Sequence, residues 1–238
     1  MKNLIVANWK MNPNSQVEAK EIFDAIRNGV KGVVSEVVIC PPSVYLYASV
    51  FGEGVVSMGA QNVYFENSGA FTGEISPAML KDLGVEFVII GHSERRKYFG
   101  ETDETVNKKI KKALESGLKV IFCVGETAEE RDAGKKNEVL ERQIKVGLAE
   151  IDDAKNLNVA YEPVWAIGTG NNCSVEETKE SVGFIKEFLP ENTRVLYGGS
   201  VKSENSGAYI KEAGSNGLLV GGASLKAEEF VKIVKSAE

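Results

Sequence analysis

Eight short runs rich in Val and Ile punctuate the chain: Leu4 to Trp9, Val37 to Cys40, Val55 to Ala60, Val85 to Gly91, Lys119 to Val124, Val159 to Glu162, Thr193 to Tyr197 and Gly217 to Val220. They are too short for helices and too uniformly apolar for strands with one wet face, so each reads as a strand buried on both sides. Between them lie segments of helical period with helix-start signals. Thr102-Asp103-Glu104-Thr105 opens one that runs to Ser116, and Ser174-Val175-Glu176-Glu177 opens another that runs to Phe188. Strand then helix, eight times over, calls for a parallel sheet covered by its own crossover helices.

A doubly wound sheet carries a Gly-rich turn after its first strand, and here the first run leads into Asn8-Trp9-Lys10-Met11-Asn12, with no glycine. Eight units in 238 residues instead match an α/β chain folded as a single (β/α)8 barrel, eight parallel strands with outer helices. No Pro/Ser-rich linker or composition shift divides the chain, so residues 1–238 are expected to form one barrel domain.

The 43% of hydrophobic residues supplies a sizeable core. Charges sum to 28 minus 34, or -6, with no block of five Lys or Arg, which argues against a nucleic-acid or anionic-membrane partner. No run approaches the length of a membrane span, and the apolar part of MKNLIVANWK is too short for a signal core, so a soluble cytoplasmic protein is expected. Cys40, Cys123 and Cys173 are far apart and odd in number, which points to reduced thiols. With one histidine in the chain, no metal site is expected.

In a barrel of this kind, chemistry sits where strands end and loops begin. The runs end at Asn8 and Lys10; Pro41 and Pro42; Gln61 and Asn62; His92 and Glu94; Gly125 and Glu126; Glu162; Gly198, Gly199 and Ser200; and Gly221 and Gly222. Glu162 precedes Pro163, which ends the ladder and turns the chain into a loop, so its carboxylate can face the mouth. Taken alone it reads first as a strand-end acid that is solvated or paired with a neighbouring cation. His92 precedes Ser93-Glu94-Arg95-Arg96, a helix opening whose partial positive charge keeps an imidazole neutral. A neutral ring can donate to a carbonyl oxygen, and a structural histidine would fit the same place. Lys10 can hold an anion or be a surface charge; if buried it needs a partner, and Glu94 is the candidate. The turns Gly198-Gly199-Ser200 and Gly221-Gly222 let backbone N–H groups approach an anion, at the place where such barrels hold phosphate. Ala166-Ile167-Gly168-Thr169-Gly170 lies in a connection long enough to act as a lid, or simply as a long surface loop.

The runs ANWKMN from Ala7, GAFTGEIS from Gly69, GHSERR from Gly91, AYEPVWAIGTG from Ala160, YGGSV from Tyr197 and GGASL from Gly221 resemble, in order and over the whole chain, the triosephosphate isomerase family. The resemblance implies interconversion of dihydroxyacetone phosphate and glyceraldehyde 3-phosphate, in glycolysis and gluconeogenesis, with no metal or organic cofactor. It assigns Glu162 as the base and His92 as the neutral electrophile, the pairing for which this enzyme is a standard example. Lys10, with Asn8, would bind substrate and stabilise the enediolate, with Glu94 paired to the lysine. Gly168, Ser200, Gly221 and Gly222 would hold the phosphate, and Ile167 and Leu219 would form an apolar clamp that raises the basicity of Glu162 by desolvation. The resemblance also implies a homodimer in which the loop around Thr72, Gly73 and Glu74 inserts beside the neighbour's site. Apolar Val63, Tyr64, Phe65 and Phe71 fit burial against that partner.

One departure stands out: where the family usually has a lysine, a variable residue and an alanine after the lid, this chain has Asn171-Asn172-Cys173. A triose-phosphate-binding or scaffolding barrel without turnover is therefore the second reading. A Schiff-base aldolase would need a lysine at the end of a central strand; Lys119 stands at the opening end of the fifth run instead.

Overall fold

A computed structural model describes residues 1–47, 54–167 and 172–238. Eight strands follow one another around a closed parallel barrel: β1 (Leu4–Asn8), β2 (Glu36–Cys40), β3 (Val56–Ala60), β4 (Phe87–Ile90), β5 (Lys119–Val124), β6 (Leu157–Tyr161), β7 (Arg194–Tyr197) and β8 (Gly217–Val220). Because side chains alternate across a strand, each strand feeds two cores. Leu4, Val6, Phe87, Ile121 and Leu196 fill the barrel interior. Ile5, Val37, Val88, Val120 and Val195 point outward under the helices.

The outer layer contains α1 (Gln16–Gly29), α2 (Pro77–Asp82), α3 (Ser93–Phe99), α4 (Asp103–Glu115), α5 (Ala128–Asp132), α6 (Lys136–Gly147), α7 (Val175–Lys186), α8 (Ser203–Lys211) and α9 (Ala227–Ser236). The start signals act where the sequence placed them. Thr102 and Thr105 form a reciprocal capping box on α4, and Ser174 and Glu177 form another on α7. Strict one-to-one alternation does not hold. Among the described residues, β2 and β3 are linked by a single 3-10 turn, Ser43–Tyr45, while β4 and β5 are each followed by two helices. After β4 the break comes from Gly100, whose left-handed backbone (φ 66) closes α3 just before Thr102 caps α4.

Strand β6 begins at Leu157, two residues before the apolar run suggests, because buried Asn158 continues the ladder. Its Nδ2 donates to Val120 O (3.0 Å) and its Oδ1 accepts from Arg194 Nε (2.7 Å), so a polar residue is satisfied inside the sheet. The barrel closes where β8 meets β1, with Gly217 opposite Leu4. Gly217 has φ 148, and a Cβ added there would lie 1.9 Å from Leu4 O, so only glycine lets these backbones meet. No helix among the described residues is long and apolar enough to cross a membrane.

Candidate active site

The C-terminal mouth is assembled by the turns that leave β1, β4, β6, β7 and β8. After β1 the chain passes buried Trp9 into Lys10, whose φ of 55 lies in the left-handed region, a strain of about 1–3 kcal/mol for a residue with a side chain. Two hydrogen bonds hold that shape: Lys10 N donates to Asn8 Oδ1 (3.1 Å) and Gln61 Nε2 donates to Lys10 O (2.8 Å). The ammonium thereby reaches Glu94 Oε1 at 2.5 Å, from the first turn of α3.

His92 caps α3. Its Nδ1 accepts from Glu94 N (3.2 Å), which leaves the proton of the neutral ring on Nε2, 3.0 Å from Glu162 Oε1. The other carboxylate oxygen, Oε2, accepts from Ser93 N (2.8 Å). Glu162 is 2% exposed and His92 6%, so the pair sits out of water. Burial alone would raise the Glu162 carboxyl; the attraction and hydrogen bond of the His92 Nε2–H, the Ser93 N–H and Lys10 outweigh it and hold the group below the usual carboxylate range. For His92, burial pulls the ring down, and the Glu162 carboxylate more than offsets that and raises it. Burial thus acts on the carboxyl in the direction expected of desolvation, and is outweighed here because the carboxylate is docked on the turn after β4.

These side chains line a cavity of about 510 Å³ together with Asn8, Ile167, Leu219 and the turns Gly198-Gly199-Ser200 and Gly221-Gly222. Ser200 Oγ donates to Ala166 O (2.6 Å), tying the turn after β7 to the segment after β6. The Ser224 hydroxyl donates to Gly221 O (2.7 Å) and shapes the turn after β8. Gly168, expected at the phosphate, lies outside the described residues, as does Asn171 of the altered hinge.

A second cavity of about 320 Å³ shares Asn8, Lys10 and His92 with the first and reaches Gly73 and Glu74. Thr72, Gly73 and Glu74 are exposed at the tip of their loop, where Tyr64 stacks on Phe65 and packs on Phe71. Val63 does not share the fate expected for it: it is fully buried in the chain's own core and has no surface left for a partner.

Three features have contacts or a place at the cavity to which the sequence assigned no role. Glu126, after β5, is fully buried; its Oε1 accepts from Trp165 Nε1 (2.8 Å) and Tyr161 OH (3.2 Å), and burial raises its carboxyl above the usual range. Its strand-end position was the only signal. Lys202, Lys226 and Glu229 also line the larger of the two cavities, and Glu229 Oε1 accepts from Ser203 N (2.7 Å). Nothing distinguishes them in sequence from ordinary helix-start charges. Asn172, the middle residue of the altered hinge, also lines the cavity. Among the described residues, no three His, Cys, Asp or Glu side chains gather as a metal site.

The C-terminal mouth of this parallel barrel thus gathers a buried carboxylate, an imidazole and an ammonium beside glycine turns. The family model described as triosephosphate isomerase matches residues 3–237. Relatives named triosephosphate isomerase include proteins of Carboxydothermus hydrogenoformans, 48% identical over 99% of both chains, and of Clostridium botulinum (strain ATCC 19397 / Type A), 49% identical over 97% of this chain and 98% of the relative. That of Alkaliphilus metalliredigens is 46% identical over 98% of both. The chain belongs to the triosephosphate isomerase family.

Proposed function

We propose that this chain interconverts dihydroxyacetone phosphate and D-glyceraldehyde 3-phosphate through an enediol(ate), with Glu162 moving the proton. The observation that carries the reading is one cavity lined by Glu162, His92 and Lys10 together with Ser200, Gly221 and Gly222. Substrate phosphate against the glycine turns, with Gly168 as a further donor, leaves the carbonyl and its neighbouring carbon facing the acid–base groups. Glu162 takes a proton from C1 and returns it to C2. His92 Nε2–H donates to the carbonyl oxygen and relays a proton between the two oxygens, while the Lys10 ammonium offsets negative charge on the enediolate. Asn8 holds the Lys10 backbone, and Glu94 holds its ammonium.

To reach C1, Glu162 must leave Ser93 N–H and His92. Losing those partners removes what lowers its carboxyl and leaves burial, with Ile167 and Leu219 near by, to raise it. Docking at rest and basicity in action are then two positions of one side chain. No cofactor enters this sequence of steps.

The same reading takes residues 1–238 as one domain and the protein as a cytoplasmic homodimer in glycolysis and gluconeogenesis. Exposed Thr72, Gly73 and Glu74 would serve the neighbour's site, and the apolar face for contact is Tyr64, Phe65 and Phe71, without Val63. A barrel that binds without turning over is not favoured, since the acid–base groups and the glycine turns face one cavity. The test is isomerisation of dihydroxyacetone phosphate by the purified chain beside Glu162→Gln. Turnover that falls about 10³-fold in the variant is the expected result. Binding without conversion by the intact chain would sink the reading.

A further inference from the structure

The chain between Glu162 and α7 is held at its near end by Glu126 and at its far end by Glu177 of α7. At its near end, three residues after the base, Trp165 sits in a 3-10 turn (Val164–Ala166) with Nε1 bonded to Glu126 and the Val164 N–H donating to Glu126 O (3.1 Å). Over the face of that indole lies the Arg131 guanidinium, from the last turn of α5, 4.0 Å from the ring centroid. At the far end, Glu177 Oε2 accepts from Ser174 N (3.4 Å) and Ser174 Oγ (3.2 Å), and Cys173 Sγ lies 3.9 Å from the same oxygen. Its other oxygen, Oε1, accepts from Arg131 Nη2 at 2.7 Å. Arg131 therefore stacks on the first anchor and pairs with the second. A planar guanidinium can do both at once, with its face on the ring and its edge on the carboxylate.

We propose that Arg131 is a positioning residue for the isomerisation, tying the turn after Glu162 to the capping box of α7 and so setting where Glu162 and Ile167 stand over the substrate. The inference rests on the functional reading above. Its physical logic is leverage. Trp165 follows Glu162 through Pro163 and a tight turn, so a shift of the indole passes to the base with little slack. A misplacement of about 1 Å at a reacting group costs up to about 10²-fold in rate, and losing an anchor of the indole should cost part of that. The pairing is also consistent with the charges: the Arg131 hydrogen bond is the leading influence holding the Glu177 carboxyl below its usual range. As the Arg131 side chain is 40% exposed and packs no core, truncating it should leave the fold intact.

The experiment measures kcat, KM, thermal midpoint and acrylamide quenching of tryptophan emission for the intact chain, Arg131→Ala, Arg131→Lys and Glu177→Gln. Trp9 is fully buried, so quenching reports on Trp165. Expected are a kcat about tenfold lower in Arg131→Ala with KM changed less than threefold, stronger quenching and an unshifted midpoint. Arg131→Lys, which keeps the charge and loses the planar stack, should recover less than half of the lost rate, and Glu177→Gln should fall between. Activity of Arg131→Ala within twofold of the intact chain, or a loss matched by a fall in midpoint, overturns the inference while the functional reading stands. An intact chain without turnover overturns the functional reading and the inference with it.

Discussion

The two mouths of the barrel use the same residue types in opposite ways. At the N-terminal mouth, Glu36 accepts from Arg194 (2.7 Å) and Lys119 (3.0 Å), Arg194 also donates to Asn158, and Lys119 reaches Glu86, which accepts from Ser57. These partners bridge the starts of β2, β3, β5, β6 and β7 and point at one another. At the C-terminal mouth, Lys10, His92 and Glu162 are also paired, yet all three face a cavity of about 510 Å³. One end spends its charges on itself and the other holds them ready for a ligand. The strained backbone of Lys10 belongs to the second end, as expected where position matters more than stability.

Three changes at the closed end sharpen that contrast, because none should touch chemistry. Gly217→Ala is the harshest. Its new Cβ would overlap Leu4 O at the seam of β1 and β8, so a loss above about 4 kcal/mol is expected, seen as failure to give a cooperative unfolding transition. A soluble variant with an unchanged denaturant midpoint would show that the seam can yield. Arg194→Met comes next. It leaves Glu36 and Asn158 each short of a partner, but both pairs are partly hydrated, so about 2 kcal/mol is expected rather than the full cost of a broken buried pair. Per folded molecule, kcat should not move; a fall in kcat would mean that the two mouths are coupled through the strands.

The smallest effect concerns acid. Burial raises the Glu36 carboxyl, and Arg194 and Lys119 together outweigh it and hold it below its reference value of 4.5. A depressed folded value means that stability from this group is present above about pH 4.5 and lost as pH falls through the lower, folded value. Glu36→Gln should therefore start less stable at pH 7 and lose less on acidification. Parallel stability curves for the two proteins between pH 3 and pH 7 would remove Glu36 from the account of acid unfolding.

How far the sequence carried depends on whether a residue's partners are near it in the chain. Lys10, His92 and Glu162 were legible because each polar residue interrupts or ends an apolar run, and barrel topology sends all strand ends to one face. The capping boxes were legible because they are local. Asn158 was not, since a polar residue before an apolar run reads as loop until Arg194 arrives from β7 to satisfy it. Val63 misled for the converse reason: an apolar residue in a long loop reads as interface, yet the chain's own core takes it. The contacts of Trp165 with Glu126 and of Arg131 with Glu177 join residues 39 and 46 positions apart, and no spacing rule announces them.

The seam at Gly217 also bears on how the chain comes to be folded at all. β1 pairs on one side with β2, its neighbour in sequence, and on the other with β8, the last strand to be made. As the chain leaves the ribosome, the outer edge of Leu4–Asn8 carries unpaired N–H and C=O groups until the opposite end arrives. That contact has the greatest sequence separation of any in the sheet, so its loop closure comes late and slowly. The open edge of the first strand is then the place where an unfinished chain is most exposed to mispairing with another, and where a chaperone would have the most to shield.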